Sequence, residues 1–287
     1  MTRTDSGSEG SGSAAAVPAD PRADTPFEIP LKYFPPSFVD DAAKQRFESR
    51  LGQFLSVCAP LNKAGSVACF ADNLLAIGRA LSFLEDRRFT DTLQACAREE
   101  RDLVIAWRTH VLTWAAKSCL GLEGDFVECG TYRAYSAEVI CGYVEPHRHG
   151  KRFVVYDLFD PGEAAGVGHR LPSHGNTLFA EVADRLRPYP GTLVVRGKVP
   201  DALPETAPEK ICFMHLDMNN AEAEAGALAF LYDRIVDGGM VVLDDYGWSY
   251  YSEQRVRADR FAAEHGQFIV ELPTGQGLFI KRAAAAR

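Results

Sequence analysis

Four absences in the 287-residue chain narrow what it can be. There is no surplus of positive charge: the formal net charge is −8. That argues against a life on nucleic acid or on an anionic membrane, since both select for basic surface. No uninterrupted apolar stretch approaches the roughly 18 residues a membrane span requires. Residues 1–20, MTRTDSGSEGSGSAAAVPAD, lack the apolar core of a signal peptide. No C-x-x-C pair occurs among the seven cysteines, Cys58, Cys69, Cys96, Cys119, Cys129, Cys141 and Cys212. Odd in number and set in apolar contexts, they read as reduced core residues of a cytoplasmic protein. Finally, the turn ECGTYRAYSA has no G-x-G-x-x-G, so it offers no glycine-rich cradle for a pyrophosphate and disfavours NAD and FAD. The expected partner is a small molecule.

What remains is ordinary globular composition, 46 % hydrophobic and 24 % charged. Residues 1–25 are rich in Ser, Gly, Ala, Asp and Pro and read as a disordered tail. Residues 26–120 read as a helical N-terminal part. It opens with an extended PFEIPLKYFPP and is followed by a helical pattern from Ser37. Leu74, Ile77, Leu81 and Leu84 recur at helical spacing, as do Leu103, Trp107, His110, Val111 and Trp114. His110, alone on that stripe, reads as a packed side chain rather than a ligand.

After Gly121 the period changes. Short apolar runs at Phe126–Cys129, Phe153–Asp157, Thr192–Arg196, Ile211–Asp217 and Met240–Asp244 alternate with helical stretches near 134–144, 174–187, 222–236 and 250–265. Such alternation gives a parallel sheet covered on both faces. QFIVEL and QGLFIK around PTG add an antiparallel hairpin at the C-terminal end. The fold class is therefore α/β: a doubly wound, mostly parallel seven-stranded Rossmann-like sheet over residues 121–287. PTGQG has glycines but neither the lysine nor the helix of a phosphate loop, and reads as the hairpin turn.

In open α/β sheets ligands bind beyond the carboxyl ends of the strands. Those ends carry Glu128-Cys129-Gly130, Asp157, Arg196-Gly197, Asp217 and Asp244-Asp245. Asp157, at the end of a second strand, suits ribose hydroxyls. Glu128 suits a ligand ammonium, directly or through neighbouring groups, and Gly130 would let a ligand approach the backbone. Together with the missing phosphate cradle, these residues favour S-adenosylmethionine, which has a nucleoside, an ammonium and a sulfonium but no phosphate.

At this point the chain resembles a known family. GDFVECGTYRAYSA, VVYDLFDP, HLDMNNAEAEAGALAFLYDRIVDGGMVVLDDYG and PTGQGLFIK are similar, in order and spacing, to class I S-adenosylmethionine-dependent methyltransferases of the macrocin O-methyltransferase type. The resemblance spans about residues 121–282, and the helical part, residues 26–120, is compatible with it: in that family such segments often cap the active site and support a homodimer. The resemblance implies methylation of a sugar or small-metabolite hydroxyl in natural-product biosynthesis. It also implies cofactor contacts from Glu128, Gly130, Tyr132, Arg133, Ser136 and Asp157. A magnesium ion held by Asp217, Asp244 and Asp245 is implied too, hard oxygen ligands suiting that metal. Two departures stand out: Asn219 replaces a second acid two residues after Asp217, and Ala134-Tyr135 replace a glycine pair.

Other readings accompany these. Glu128 can simply cap the following helix, and Asp244-Asp245 can be turn formers. Asp217 and Asp245 are the candidate catalytic acids. His215, two residues before Asp217 on the same strand face, is a candidate general base, although buried strand histidines are commonly satisfied by a partner. His169 and His174 lie in the loop after Asp157, where a solvated polar loop is the simpler account. Tyr246, Trp248, Tyr250 and Tyr251 either line an acceptor pocket or pack the entrance of the next helix. The alternative functions are methylation of nitrogen or carbon, other chemistry on the bound cofactor, and a non-catalytic cofactor-binding partner subunit.

Overall fold

A computed structural model describes residues 27–31, 40–58, 68–160, 162 and 171–282. The 1–25 tail and His169 lie outside the described residues. Seven strands form the main sheet: β3 (Asp125–Cys129), β4 (Phe153–Asp157), β5 (Thr192–Arg196), β6 (Ile211–Leu216), β7 (Ile235–Leu243), β8 (Val270–Glu271) and β9 (Gly277–Ile280). Their order is β5-β4-β3-β6-β7-β9-β8. The first five are mutually parallel, and β9 is antiparallel to both β7 and β8. The strand order reverses between β4-β3 and β6-β7, which is where such sheets open a crevice for ligands.

Period-2 alternation decides what each face buries. Phe126, Phe153, Phe213 and Val242 point to one face, where they meet Leu112 and Ala115 of α4 (Ala106–Ser118), Cys119 at its end, and Val182 and Leu186 of α6 (Leu178–Leu186). Phe126 packs edge-on to Phe153 and Phe213, with ring centroids 5.9 and 5.2 Å away. The opposite face carries Val127, Val154, Met214 and Val241 against Leu228 and Leu231 of α8 (Ala221–Leu231) and Ala258 of α9 (Ser252–Glu264). Burying side chains of this size stabilises the fold by roughly 1.5–3 kcal/mol each. All six cysteines whose side chains are described are free and buried. Burial pushes the Cys69 thiol up to about 11 and those of Cys96, Cys119 and Cys141 to about 12, so they stay protonated.

The N-terminal part departs from the helical expectation. After α1 (Asp41–Cys58), Ala68–Ala71 (β1) and Leu74–Ile77 (β2) form an antiparallel hairpin. Its turn residues Asp72 and Asn73 take left-handed φ values of 51° and 60°, a conformation these two residue types tolerate. An Asp-Asn turn between two short apolar runs is a hairpin signal that the apparent helical spacing of Leu74, Ile77 and Leu81 concealed. Helices α2 (Arg87–Cys96), α3 (Glu100–Val104) and α4 follow. Nor does the packing break at residue 120, since α4 covers the sheet itself. His110 is packed as expected, stacked on Phe83 at 4.6 Å between ring centroids.

Elsewhere the differences are at element ends. The 134–144 helix is a short α5 (Tyr135–Val139) continued by a π-helical turn, Ile140–Val144. Strand β7 starts at Ile235, five residues before the expected Met240, because a register shift at Gly238-Gly239 lets the strand run through the glycines. No helix among the described residues is long and apolar enough to cross a membrane.

Candidate active site

The carboxyl rim of the sheet opens into two adjoining cavities. The larger, about 650 Å³, lies beyond β3, β4, β5 and β6 and is lined by Asp157, Leu158, Lys198, Pro200 and Met218. The smaller, about 300 Å³, lies beyond β3, β6 and β7, under the N-terminal end of α4; Arg108, Glu128, Asp244, Asp245 and Trp248 line it. Gly130, Tyr132, Leu171, Asp217 and Asn219 border both. Asp217 thus stands where the two spaces meet.

Around the larger cavity, the partners of Asp157 are backbone groups close by. Its Oδ2 accepts from Tyr132 N at 2.7 Å and its Oδ1 from Phe159 N at 2.6 Å. Burial raises its carboxyl above the usual range against these two bonds. Tyr132 turns through φ 45°, and its hydroxyl accepts from Ser173 N at 2.9 Å. His174 borders the cavity, with Nε2 3.9 Å from Asp157 Oδ1. Gly130 has a reason other than ligand approach. Its φ is +92°, and a Cβ there would lie 1.9 Å from the carbonyl oxygen of Asp217. The close approach is between the protein's own strand ends.

Around the smaller cavity the partners come from far along the chain. Register pairs Glu128 with His215 across β3 and β6, on the face that looks towards α4. One Glu128 oxygen meets His215 Nδ1 at 2.8 Å, and the other accepts from Thr131 Oγ1 at 2.5 Å. Glu128 would therefore reach a ligand ammonium only through neighbours. The far nitrogen of His215, Nε2, is 3.6 Å from Asp244 Oδ1. Burial works to lower the His215 pKa, but Asp244 and Glu128 outweigh it and raise it to about 10. His215 is 1 % exposed and lines neither cavity. This placement does not suit a general base: the ring is buried between two carboxylates, hydrogen-bonded to Glu128, with Nε2 3.6 Å from Asp244 and making no hydrogen bond.

Asp244 is fully engaged. Its Oδ2 accepts from Arg108 Nη1 at 2.7 Å and its Oδ1 from Gln276 Nε2 at 2.9 Å. Burial would raise its carboxyl, yet Arg108 and His215 hold it well below the usual range. Asp245 lies 3.8 Å from the same guanidinium nitrogen, and its Oδ2 is buried without a hydrogen-bond partner. Burial and Asp244 push it up to about 8. Burial and the two neighbouring aspartates raise Asp217 well above the carboxylate range. Glu224, which accepts from Met218 N and Gln254 Nε2, is pushed by burial up to about 8.

Of the remaining predicted contacts, Ser136 borders the smaller cavity. Arg133 also borders it, but its guanidinium pairs with Glu99 at 3.0 Å. Ala134 takes the left-handed turn, φ 60°, where the family carries glycine, and Tyr135 is buried. Trp248, Tyr250 and Tyr251 line the smaller cavity. Tyr246 packs away from it, its hydroxyl donating to Asp259 at 2.5 Å. The glycines of PTGQG make room for these rings. A Cβ at Gly275 would meet Trp248 at 2.5 Å and one at Gly277 would meet Tyr246 at 2.6 Å.

The magnesium triad expected from the resemblance does not fit this arrangement. The described ligand atoms that converge, all within 4.8 Å of one another, belong to His215, Asp217 and Asp244, without Asp245. A nitrogen ligand is foreign to magnesium, and the oxygens of Asp244 already serve Arg108 and Gln276. Arg108, Asp72, Gln276 and Thr131 are the site residues that the sequence reading missed. None lies at a parallel strand end, and only contacts over long separations reveal three of them.

Strand order 3-2-1-4-5-7-6 with a terminal antiparallel pair, and a crevice at its reversal point, define a class I methyltransferase fold. A family model described as macrocin-O-methyltransferase (TylF) matches residues 191–268. The solved structure of the O-methyltransferase NovP is similar with a TM-score of 0.54 at 19 % identity, over 63 % of this chain and 82 % of its own. That of CalS11, a calicheamicin methyltransferase, is similar with a TM-score of 0.53 at 13 % identity, over 93 % and 99 %. Comparison with curated proteins gives no match. The chain shares the class I methyltransferase fold of these structures, and its residues 191–268 are similar to the macrocin-O-methyltransferase family.

Proposed function

We propose that the protein transfers the methyl group of S-adenosylmethionine to a hydroxyl of a small metabolite or sugar in natural-product biosynthesis. The observation that carries this reading is the meeting of the two cavities at Gly130, Asp217 and Asn219. The larger has room for a nucleoside, with Asp157 at the ribose. The methionine end then runs past Gly130 towards Thr131 and Ser136, and the sulfonium methyl faces the smaller cavity. An acceptor held there by Trp248 and Tyr251 presents its hydroxyl to the methyl near Asp217.

In this scheme Asp217 is the general base. The acceptor oxygen forms the new O–CH3 bond as the S–CH3 bond breaks in line, the hydroxyl proton passes to Asp217, and a neutral thioether leaves. An aspartate whose pKa is raised is a stronger base than an ordinary one, which suits a hydroxyl that acidifies as it is methylated. Most of the acceleration comes from alignment of the two reactants. Asp244 and Asp245 shape the acceptor space, and His215 with Glu128 holds the strand ends in register. The segment around α3 borders the smaller cavity through Glu99, Arg101 and Asp102, the role this reading gives to the N-terminal cap.

Calorimetry with S-adenosylmethionine and S-adenosylhomocysteine tests the cofactor. Binding that weakens in Asp157→Ala is expected, and no heat with either ligand would remove the reading. Transfer from methyl-labelled cofactor into a pool of hydroxylated small molecules tests the chemistry. Label on nitrogen or carbon of the product would replace O-methylation by the alternative transfers.

A further inference from the structure

We infer that Arg108 is the resident cation of the Asp244-Asp245 pair, standing where the resemblance to the macrocin O-methyltransferases implies a divalent metal, so that the protein binds no such ion there. The guanidinium is fixed on four sides. Its Nη1 donates to Asp244 at 2.7 Å and faces Asp245 at 3.8 Å. Its Nε and Nη2 donate to Asp72 at 2.6 and 2.9 Å, a bidentate clamp set by the hairpin turn. Its carbon Cζ lies 4.8 Å from the centre of the Trp248 ring, a cation–π contact. The side chains of Arg108, Asp72 and Asp244 are each only about a tenth exposed, so water does little to weaken these contacts.

This is a built arrangement rather than a stray surface arginine. The clamp residue comes from the β1–β2 turn, the cation from the first turn of α4, the aspartates from the end of β7 and the stacked ring from the loop after it. The second oxygen of Asp244 is closed off by Gln276, which Thr274 holds in turn through a 3.0 Å hydrogen bond. A doubly charged ion shared by Asp244 and Asp245 would sit against the guanidinium and be repelled by it, while Asn219 withholds the extra acid that would offset the repulsion. Arg108 is a positioning residue: it binds Asp244, faces Asp245 and holds the pair fixed beneath the acceptor space without an ion.

The inference concerns the site described above, but its main test does not need the methyl-transfer reading. The full chain, stripped with EDTA, is titrated with MnCl2, and bound manganese is read by water-proton relaxation. The wild-type protein should show no stoichiometric site at millimolar manganese. Arg108→Ala should gain one site per chain, lost again when Asp244→Asn is added, and Arg108→Lys should gain none. One tight manganese in the wild-type protein, abolished by Asp244→Asn, would overturn the inference; so would a folded Arg108→Ala that binds none. Should Arg108→Ala not fold, Asp72→Asn, which unclamps the same guanidinium, takes its place with the same two outcomes. Turnover, once an acceptor is in hand, should be equal within about twofold in EDTA and in magnesium. Absence of turnover in both would count against the methyltransferase reading and leave the manganese result standing.

Discussion

The two halves of the sheet rim are built on different principles. Beyond β4 and β5, the acid Asp157 is held by backbone N–H groups of Tyr132 and Phe159, the latter only two residues away. Beyond β6 and β7, Asp244 is held by side chains 136 and 32 residues distant, Arg108 and Gln276. The first half is held by backbone groups of two successive strand-end turns, Tyr132 after β3 and Phe159 after β4, and needs no particular side chain as donor. The second exists only once the hairpin, α4 and the terminal strands have all docked. On the proposed reading, the nucleoside side is therefore generic, and the acceptor side is where this chain individualises its chemistry.

Substitutions at the joint and in each half sharpen that contrast. The largest effect is expected for Gly130→Ala, whose Cβ would lie 1.9 Å from the Asp217 carbonyl oxygen at a φ that disfavours side chains. A loss of more than about 4 kcal/mol, read from urea unfolding or from failure to express as folded protein, is the expected result. Asp217→Asn should fold and bind cofactor yet lose about 10²–10⁴-fold in turnover, the range a general base supplies. Retained turnover would place the base elsewhere.

Arg108→Ala leaves Asp72 and Asp244 buried without their shared counter-charge. Removing one partner of a buried pair costs about 3–5 kcal/mol, so the urea midpoint should fall accordingly, whereas Asp157→Ala should cost about 1–3 kcal/mol because it loses hydrogen bonds from neutral donors. Equal losses from the two would erase the distinction between the halves.

The smallest effect concerns His110. Burial lowers its pKa below the ordinary histidine value, more than Asp86 raises it. The unfolded chain then takes up a proton at a higher pH than the folded one. Stability should be complete above about pH 6.5 and decline as pH falls through the lowered folded value. His110→Phe should flatten that acid slope in urea midpoints measured from about pH 8 down to about pH 5.

The same local-against-distant division explains what could be read in the sequence. Period-2 runs such as FVVYD and the acids that end them follow from neighbours a few residues apart, so the five parallel strands, the terminal hairpin and the placement of Glu128, Asp157, Asp217, Asp244 and Asp245 at one rim were legible. The hairpin at Ala68–Ile77 was not, because LLAI satisfies a helical period as well as an extended one when so short. Gly130 was read as a place for a ligand; it does border both cavities, but it also abuts the backbone of Asp217 just past β6, a contact no single-strand pattern contains. His215 looked like a free base until register set it between Glu128 and Asp244. Arg108 sits on a helix like any surface arginine, and only the docking of α4 over the strand ends brings it to the aspartates.

A crystal structure of the protein with S-adenosylhomocysteine tests the central claim most directly. The account predicts the nucleoside in the larger cavity with its ribose on Asp157, and the sulfur turned towards Asp217 at the junction with the smaller one. A nucleoside bound away from the rim, or a sulfur pointing away from Asp217 and the Arg108 cluster, would contradict it.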